Sequence, residues 1–174
     1  MALMLALILV ISGGTAFGAD REQDHSNHYS LARFVNWGKY VNKITWWYDQ
    51  EGEDDFTEMI ITAAEAWNET PTSINMTQVG NRKDSILRIY SDDYGDTGWY
   101  AKFNPFPDIH IGINEHYYLD EDQWEIIIAH EMGHAHGLDH YDECDMALMN
   151  SNPLNREDCH PYIGDIAGIN AKYD

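Results

Sequence analysis

Basic residues are scarce in this sequence: ten Lys and Arg stand against thirty Asp and Glu, a formal charge of −20 over 174 residues. A nucleic-acid binder needs Lys and Arg to displace phosphate counterions, so this balance excludes nucleic acid as a partner. It excludes docking on an anionic membrane surface for the same reason. Bound cations, cationic substrates and a high-salt setting all stay open. Long apolar runs are also lacking. After the first dozen residues no stretch could span a bilayer, and there is no internal repeat, long linker or low-complexity tract. Cysteine is nearly absent, with only Cys144 and Cys159, so one disulfide is the most the chain can form. Apolar material is not lacking: 44% hydrophobic and 13% aromatic residues suffice for one buried core and argue against wholesale disorder.

Met1–Ser12 is an apolar block of signal-peptide length, and Ala16-Phe17-Gly18 fits a small-x-small cleavage site. Residues 1–19 therefore read as a signal peptide, with an uncleaved anchor as the alternative, and the chain is expected to be secreted. No Lys or Arg precedes the block. In an exported chain an even cysteine count suggests a Cys144–Cys159 bridge. It would close a loop of about 15 residues, worth on the order of 3 kcal/mol in the chain-entropy picture. Two thiols are the alternative. Asn68-Glu69-Thr70 and Asn75-Met76-Thr77 are N-glycosylation sequons.

Residues 20–42 form an N-terminal arm, polar over Asp20–Ser30, and 43–174 the folded domain. Lys43–Tyr48 is β-branched and aromatic and reads as a strand. Phe56, Met59, Ile60, Ala63, Ala64 and Trp67 recur at helical spacing, which predicts a helix over about Asp54–Asn68, stopped by Pro71. Ser73–Val79 and Ser85–Tyr90 are further strand candidates. Ile109, Ile111 and Ile113 alternate with His110, Gly112 and Asn114 in another. Asp120 opens a helix that runs to Gly137, and Tyr162–Tyr173 forms a last short helix. The order predicts a mixed, mostly parallel twisted sheet with helices against it.

Residues 130–140 carry the chemistry: His130-Glu131-Met132-Gly133-His134-Ala135-His136-Gly137-Leu138-Asp139-His140. A helix brings i and i+4 onto one face, so His130 and His134 can reach one ion. Gly137 suits a helix end at positive φ, after which the chain can turn and deliver His140. Zn²⁺ takes neutral imidazole nitrogens, and three protein ligands plus one water make an open, catalytic type of site. Glu131 is then the natural general base for the water whose pKa the metal lowers. His136 points elsewhere and receives no ligand role. A bare HExxH arises readily by chance; Gly137 and His140 at fixed offsets make the signal specific. A structural zinc site is the alternative, and Cys144 could in principle close one.

HExxHxxGxxH resembles the zinc signature of the metzincin metallopeptidases, and the wording is similar to the matrixin, or matrix-metalloproteinase-like, branch. Ala147-Leu148-Met149 after His140, and Gly164–Tyr173 at the close of the chain, are similar to that branch's methionine turn and C-terminal helix. The resemblance implies an α+β, zincin-like fold: a twisted, mixed, mostly parallel five-stranded sheet with an active-site helix and a C-terminal helix. It implies a zinc endopeptidase acting on protein or peptide substrates, expected as a monomer. Met149 would form a floor under the zinc, and Asp165 would bond the methionine turn. A substrate peptide would pair with an antiparallel edge strand, for which Ile109, His110, Ile111, Gly112, Ile113 and Asn114 are the candidate. The Cys144–Cys159 bridge would stiffen the wall of the pocket beyond the scissile bond. Tyr141 departs from the pattern, since matrixins usually carry Ser there. The loop Ser91–Gly98 is short where matrixins hold a structural zinc and calcium. Asp92, Asp93 and Asp96 could bind Ca²⁺, with a solvated acidic loop as the alternative reading; His110 and His116 read as polar strand-end residues. An exported, zinc-stabilised binding or adhesion module without proteolytic activity is the competing functional reading.

Overall fold

The computed structural model describes residues 26–174, so residues 1–19, expected as a signal peptide, lie outside the described residues. In chain order the elements are β1 (Ser30–Leu31), β2 (Ile44–Gln50), α1 (Thr57–Asn68), β3 (Met76–Gln78), β4 (Leu87–Asp92), β5 (Ala101–Asn104), β6 (His110–Asn114), α2 (Glu121–Ala135), β7 (Leu138–Asp139) and α3 (Ile163–Tyr173). Five strands form one sheet in the order β3-β2-β4-β6-β5, parallel except for β5. The expected mixed, mostly parallel five-stranded sheet is therefore present. Among the described residues no helix is long and apolar enough to cross a membrane.

Local chemistry sets the helix starts. The Asp55 carboxylate accepts from the Thr57 amide at 2.9 Å and its hydroxyl at 2.6 Å, so α1 begins at Thr57 rather than at Asp54. Asp120 and Gln123 cap α2 reciprocally, each side chain taking the other's backbone N–H at 2.9 and 3.1 Å. The Asn68 amide both donates to and accepts from the Met76 backbone, which fastens the end of α1 to β3. That first sequon asparagine thus has its side chain occupied by the fold.

Helix α2 lies between the sheet and the last third of the chain and is buried along most of its length. Its Ile126, Ile128, Ala129 and Met132 join Trp67 of α1 and Leu87, Ile89, Ile111 and Ile113 of the sheet in one core. Trp67 donates its indole N–H to the Ala129 carbonyl at 2.9 Å. Gly133 is where α2 and the methionine turn touch: a Cβ there would lie 2.2 Å from Met149 Sδ and 3.1 Å from Trp67.

Two sequence expectations need correction. Ile109–Asn114 is not the edge of the sheet. β6 is paired on both sides, with β4 and with β5, and Ile111, Gly112, Ile113 and Asn114 are all buried. The antiparallel edge is β5, Ala101–Asn104, four residues that the sequence reading missed. Nor does a disulfide join Cys144 to Cys159. Both are buried, Cys159 within the main core. Burial pushes the Cys159 thiol up to about 11.

From Ser30 onward the arm is tied to the domain by backbone pairing. β1 pairs antiparallel with β7, Ser30 opposite Asp139 and Leu31 opposite Leu138. Ala32 N–H donates to Gly137 O at 2.9 Å, and Lys172 Nζ to Ala32 O at 2.8 Å. Gly137 holds φ +91°, and a Cβ there would meet the Val35 carbonyl at 2.7 Å. Positive φ and a backbone obstruction together demand glycine. Gly137→Ala should therefore cost about 3 kcal/mol, the sum of a strained φ and overpacking. Urea unfolding of the zinc-free chain should show the loss as a lower midpoint at unchanged slope.

Candidate metal centre

His130 and His134 project from one face of α2, and the turn at Gly137 brings His140 up to them. Nε2 of His140 lies 3.2 Å from Nε2 of His130 and 3.1 Å from Nε2 of His134. The three form a cluster able to hold one metal ion, the one such group among the described residues. A tetrahedral Zn²⁺ with Zn–N near 2.0–2.1 Å sets its nitrogens roughly 3.3 Å apart, so the spacing fits zinc.

The far side of each helical imidazole is fixed. Nδ1 of His130 lies 2.7 Å from the Leu148 carbonyl, and Nδ1 of His134 lies 3.0 Å from the Leu138 carbonyl. A carbonyl only accepts, so each Nδ1 carries the proton and each Nε2 presents its lone pair to the cluster. Burial pushes His130 down to about 3 and lowers His134 as well, so both rings stay neutral, as metal ligands must be.

Glu131 lines the same pocket as His130 and His140, a space of about 270 Å³ that Trp99, Tyr100 and Ala101 wall on one side and Pro153 and Leu154 on another. Its Oε2 accepts the Phe103 amide from β5 at 2.6 Å. Burial pushes its carboxyl up to about 8, against the lowering effect of that amide and of Lys102. The group is thus a carboxyl of high proton affinity beside three metal-ready nitrogens.

Met149 is buried and packs against Gly133 of α2. Asp165 holds the turn: it takes Leu148 N–H at 2.8 Å, Met149 N–H at 3.2 Å and Tyr162 N–H at 2.8 Å. Burial raises its pKa, while those three amides pull it back. His136 is fully buried, edge-on to the Trp67 ring at 5.2 Å, and stands outside the cluster. His110 bonds Asn104 and Asp108, and His116 pairs with Asp93 at 3.4 Å.

The acidic loop does not support a calcium site. Asp92 accepts the Asp93 amide, Asp93 accepts the Gly95 amide, and Asp96 accepts the Tyr117 hydroxyl. Buried Asn114 organises the loop: its side chain accepts from Tyr94 N–H and donates to Gly95 O and Thr97 Oγ1. Nothing in the sequence reading marked Asn114 for this task, nor the Phe103 amide for its contact with Glu131. Recognising the short strand β5 would have pointed to the second.

No known protein family matches the sequence, and no curated protein matches it either. Solved structures do. A chain of the GM1-bound ECX AB5 holotoxin is similar over 88% of this chain and 91% of its own, at 15% identity and TM-score 0.56. Myroilysin matches over 63% of this chain and 54% of its own, at 17% identity and TM-score 0.46. High choriolytic enzyme 1, a hatching-enzyme zinc protease from the medaka fish Oryzias latipes, matches over 62% and 50%, at 19% identity and TM-score 0.42. The first likeness shows a shared fold.

Asp165→Ala would leave three N–H groups buried without an acceptor, each costing about 1–3 kcal/mol. It should destabilise the chain by at least about 3 kcal/mol and weaken zinc binding through the freed Leu148 carbonyl. Thermal unfolding and competitive zinc titration read the two effects separately.

Proposed function

We propose that this chain is an exported, matrixin-like zinc-dependent endopeptidase. The observation that carries the reading is the convergence of the Nε2 atoms of His130, His134 and His140 beside a pocket that the buried Glu131 carboxyl lines. Zinc held by His130, His134 and His140 would polarise a peptide carbonyl and acidify a water molecule. Glu131 takes the proton of the attacking water and passes it to the departing amine. Its raised proton affinity suits a group that must both accept and release a proton. The outer edge of β5 offers backbone groups to which an extended peptide can add as a further strand. Met149 and Asp165 keep the floor and the His130 carbonyl partner in place.

Zinc-loaded full-length protein should cleave members of a random peptide library, lose that activity to 1,10-phenanthroline and regain it with added zinc. Glu131→Gln should keep one zinc per chain by elemental analysis while kcat/KM falls by about 10³, the usual range for removing a general base. Equal activity of wild type and variant would defeat the assignment of Glu131, and no cleavage by either would favour a zinc-stabilised binding module. Export predicts a mature N-terminus at Ala19 or Asp20, which N-terminal sequencing of the exported protein reads directly.

A further inference from the structure

The three histidines sit midway along a longer depression. On the side away from the 270 Å³ pocket lies a groove of about 590 Å³. One wall is the arm from Ser30 to Val35; the other is Phe103 and Pro105 at the end of β5; its floor reaches His134 and Leu138. The lining is mixed: Phe34, Val35, Phe103 and Pro105 stand beside Arg33 and Asp139. Phe34 is 80% exposed on the rim, and Phe106, in the adjoining hollow, is 70% exposed. Clustered large apolar side chains left in water mark a surface that something covers.

The arm wall is fixed to the metal centre. It pairs through β1 with β7, just before His140, and bonds Gly137 and Lys172. Trp37, at its far end, donates its indole N–H to the Ala135 carbonyl at 2.8 Å. The groove is also continuous with the catalytic cleft, because β5 runs from Ala101 in the first pocket to Phe103 and Pro105 in the second. A peptide laid on that edge would pass over both. Antiparallel pairing is the more stable per residue. In that orientation the substrate's N-terminal part lies over the arm.

We propose that the arm groove binds the residues that precede the scissile bond, and that Phe34 and Phe103 select an apolar, preferentially aromatic side chain there. The proposal rests on the peptidase reading and adds the arm to the substrate-binding surface. Phe34 is largely in solvent, so replacing it removes a groove contact and little of the core.

The test is a cleavage profile of zinc-loaded full-length protein on a random peptide library, followed by kinetics on paired peptides that differ only as Phe or Gly at the selected upstream position. Wild type should favour Phe over Gly, and Phe34→Ser should reduce that kcat/KM ratio about tenfold, mainly through KM. Tyr118→Ser, which removes an exposed aromatic outside this groove, should keep the wild-type ratio. Cleavage with no upstream preference, or with a preference that Phe34→Ser leaves intact, overturns the proposal while the peptidase reading stands. Absence of all cleavage by wild type overturns both.

Discussion

The Asp165 carboxylate is 1% exposed and receives three backbone N–H groups, from Leu148, Met149 and Tyr162. Charge is costly at such depth, and only several convergent donors make it tolerable. Those donors come from the turn after His140 and from the start of α3, so one side chain ties the end of the chain to the middle. Leu148, whose N–H Asp165 holds, turns its carbonyl to His130 Nδ1. The sequence of contacts runs from α3 through Asp165 and Leu148 to the lone pair that His130 presents. Met149, the next residue, packs under α2 only because Gly133 has no side chain. The ligand geometry thus depends on a hydrogen-bonded carboxylate more than ten residues from any ligand.

The ligand set could be read from the sequence because its cause is local. His130 and His134 stand four positions apart on a helix, and a glycine-permitted turn supplies His140. Helix α2 and its Asp120 cap were legible on the same ground. The edge strand was not. Ala101–Asn104 alternates apolar and polar over only four residues, too few to read as a period, and precedes the Pro105-Phe106-Pro107 segment. The Ile109–Asn114 alternation looked like a strand with one wet face. In the sheet both faces are covered, because Gly112 leaves room beside Tyr94 and Asn114 spends its amide on a loop. Alternation records side-chain polarity, while edge or centre is decided by distant pairing partners. The cysteine count is no local signal of pairing either: an even number states capacity for a bridge, and the structure holds none between Cys144 and Cys159.

The arm shows the opposite case. Asp20–Ser30 is polar, and nothing local predicts that the chain after it pairs with residues 137–139. Its order comes from backbone groups of residues 30–32 meeting those of residues 137–139, with Lys172 closing from the last helix. His28 stacks on Tyr141 at 5.4 Å, next to the third histidine. Pairing across more than a hundred residues of separation leaves no trace in local periodicity. It fixes one wall of the cleft to the same turn that delivers His140, so wall and ligand share a reference frame.

The base and the edge strand share another. The outermost strand of a sheet has N–H groups on its free side that require acceptors, and a buried carboxyl requires donors. At 2.6 Å the Phe103 N–H and Glu131 Oε2 satisfy each other. Strand β5 is itself held at its start, where the Asn114 amide and N–H reach the carbonyls of Trp99 and Tyr100. The loop that Asn114 braces with its side chain therefore sets where Phe103 lies, and Phe103 sets where Glu131 lies. Displacing that loop by a fraction of an ångström would move the pocket wall and the proton-accepting oxygen together. In this chain an asparagine buried in the sheet supports the base through two intervening hydrogen bonds, although no carboxylate or metal lies between them.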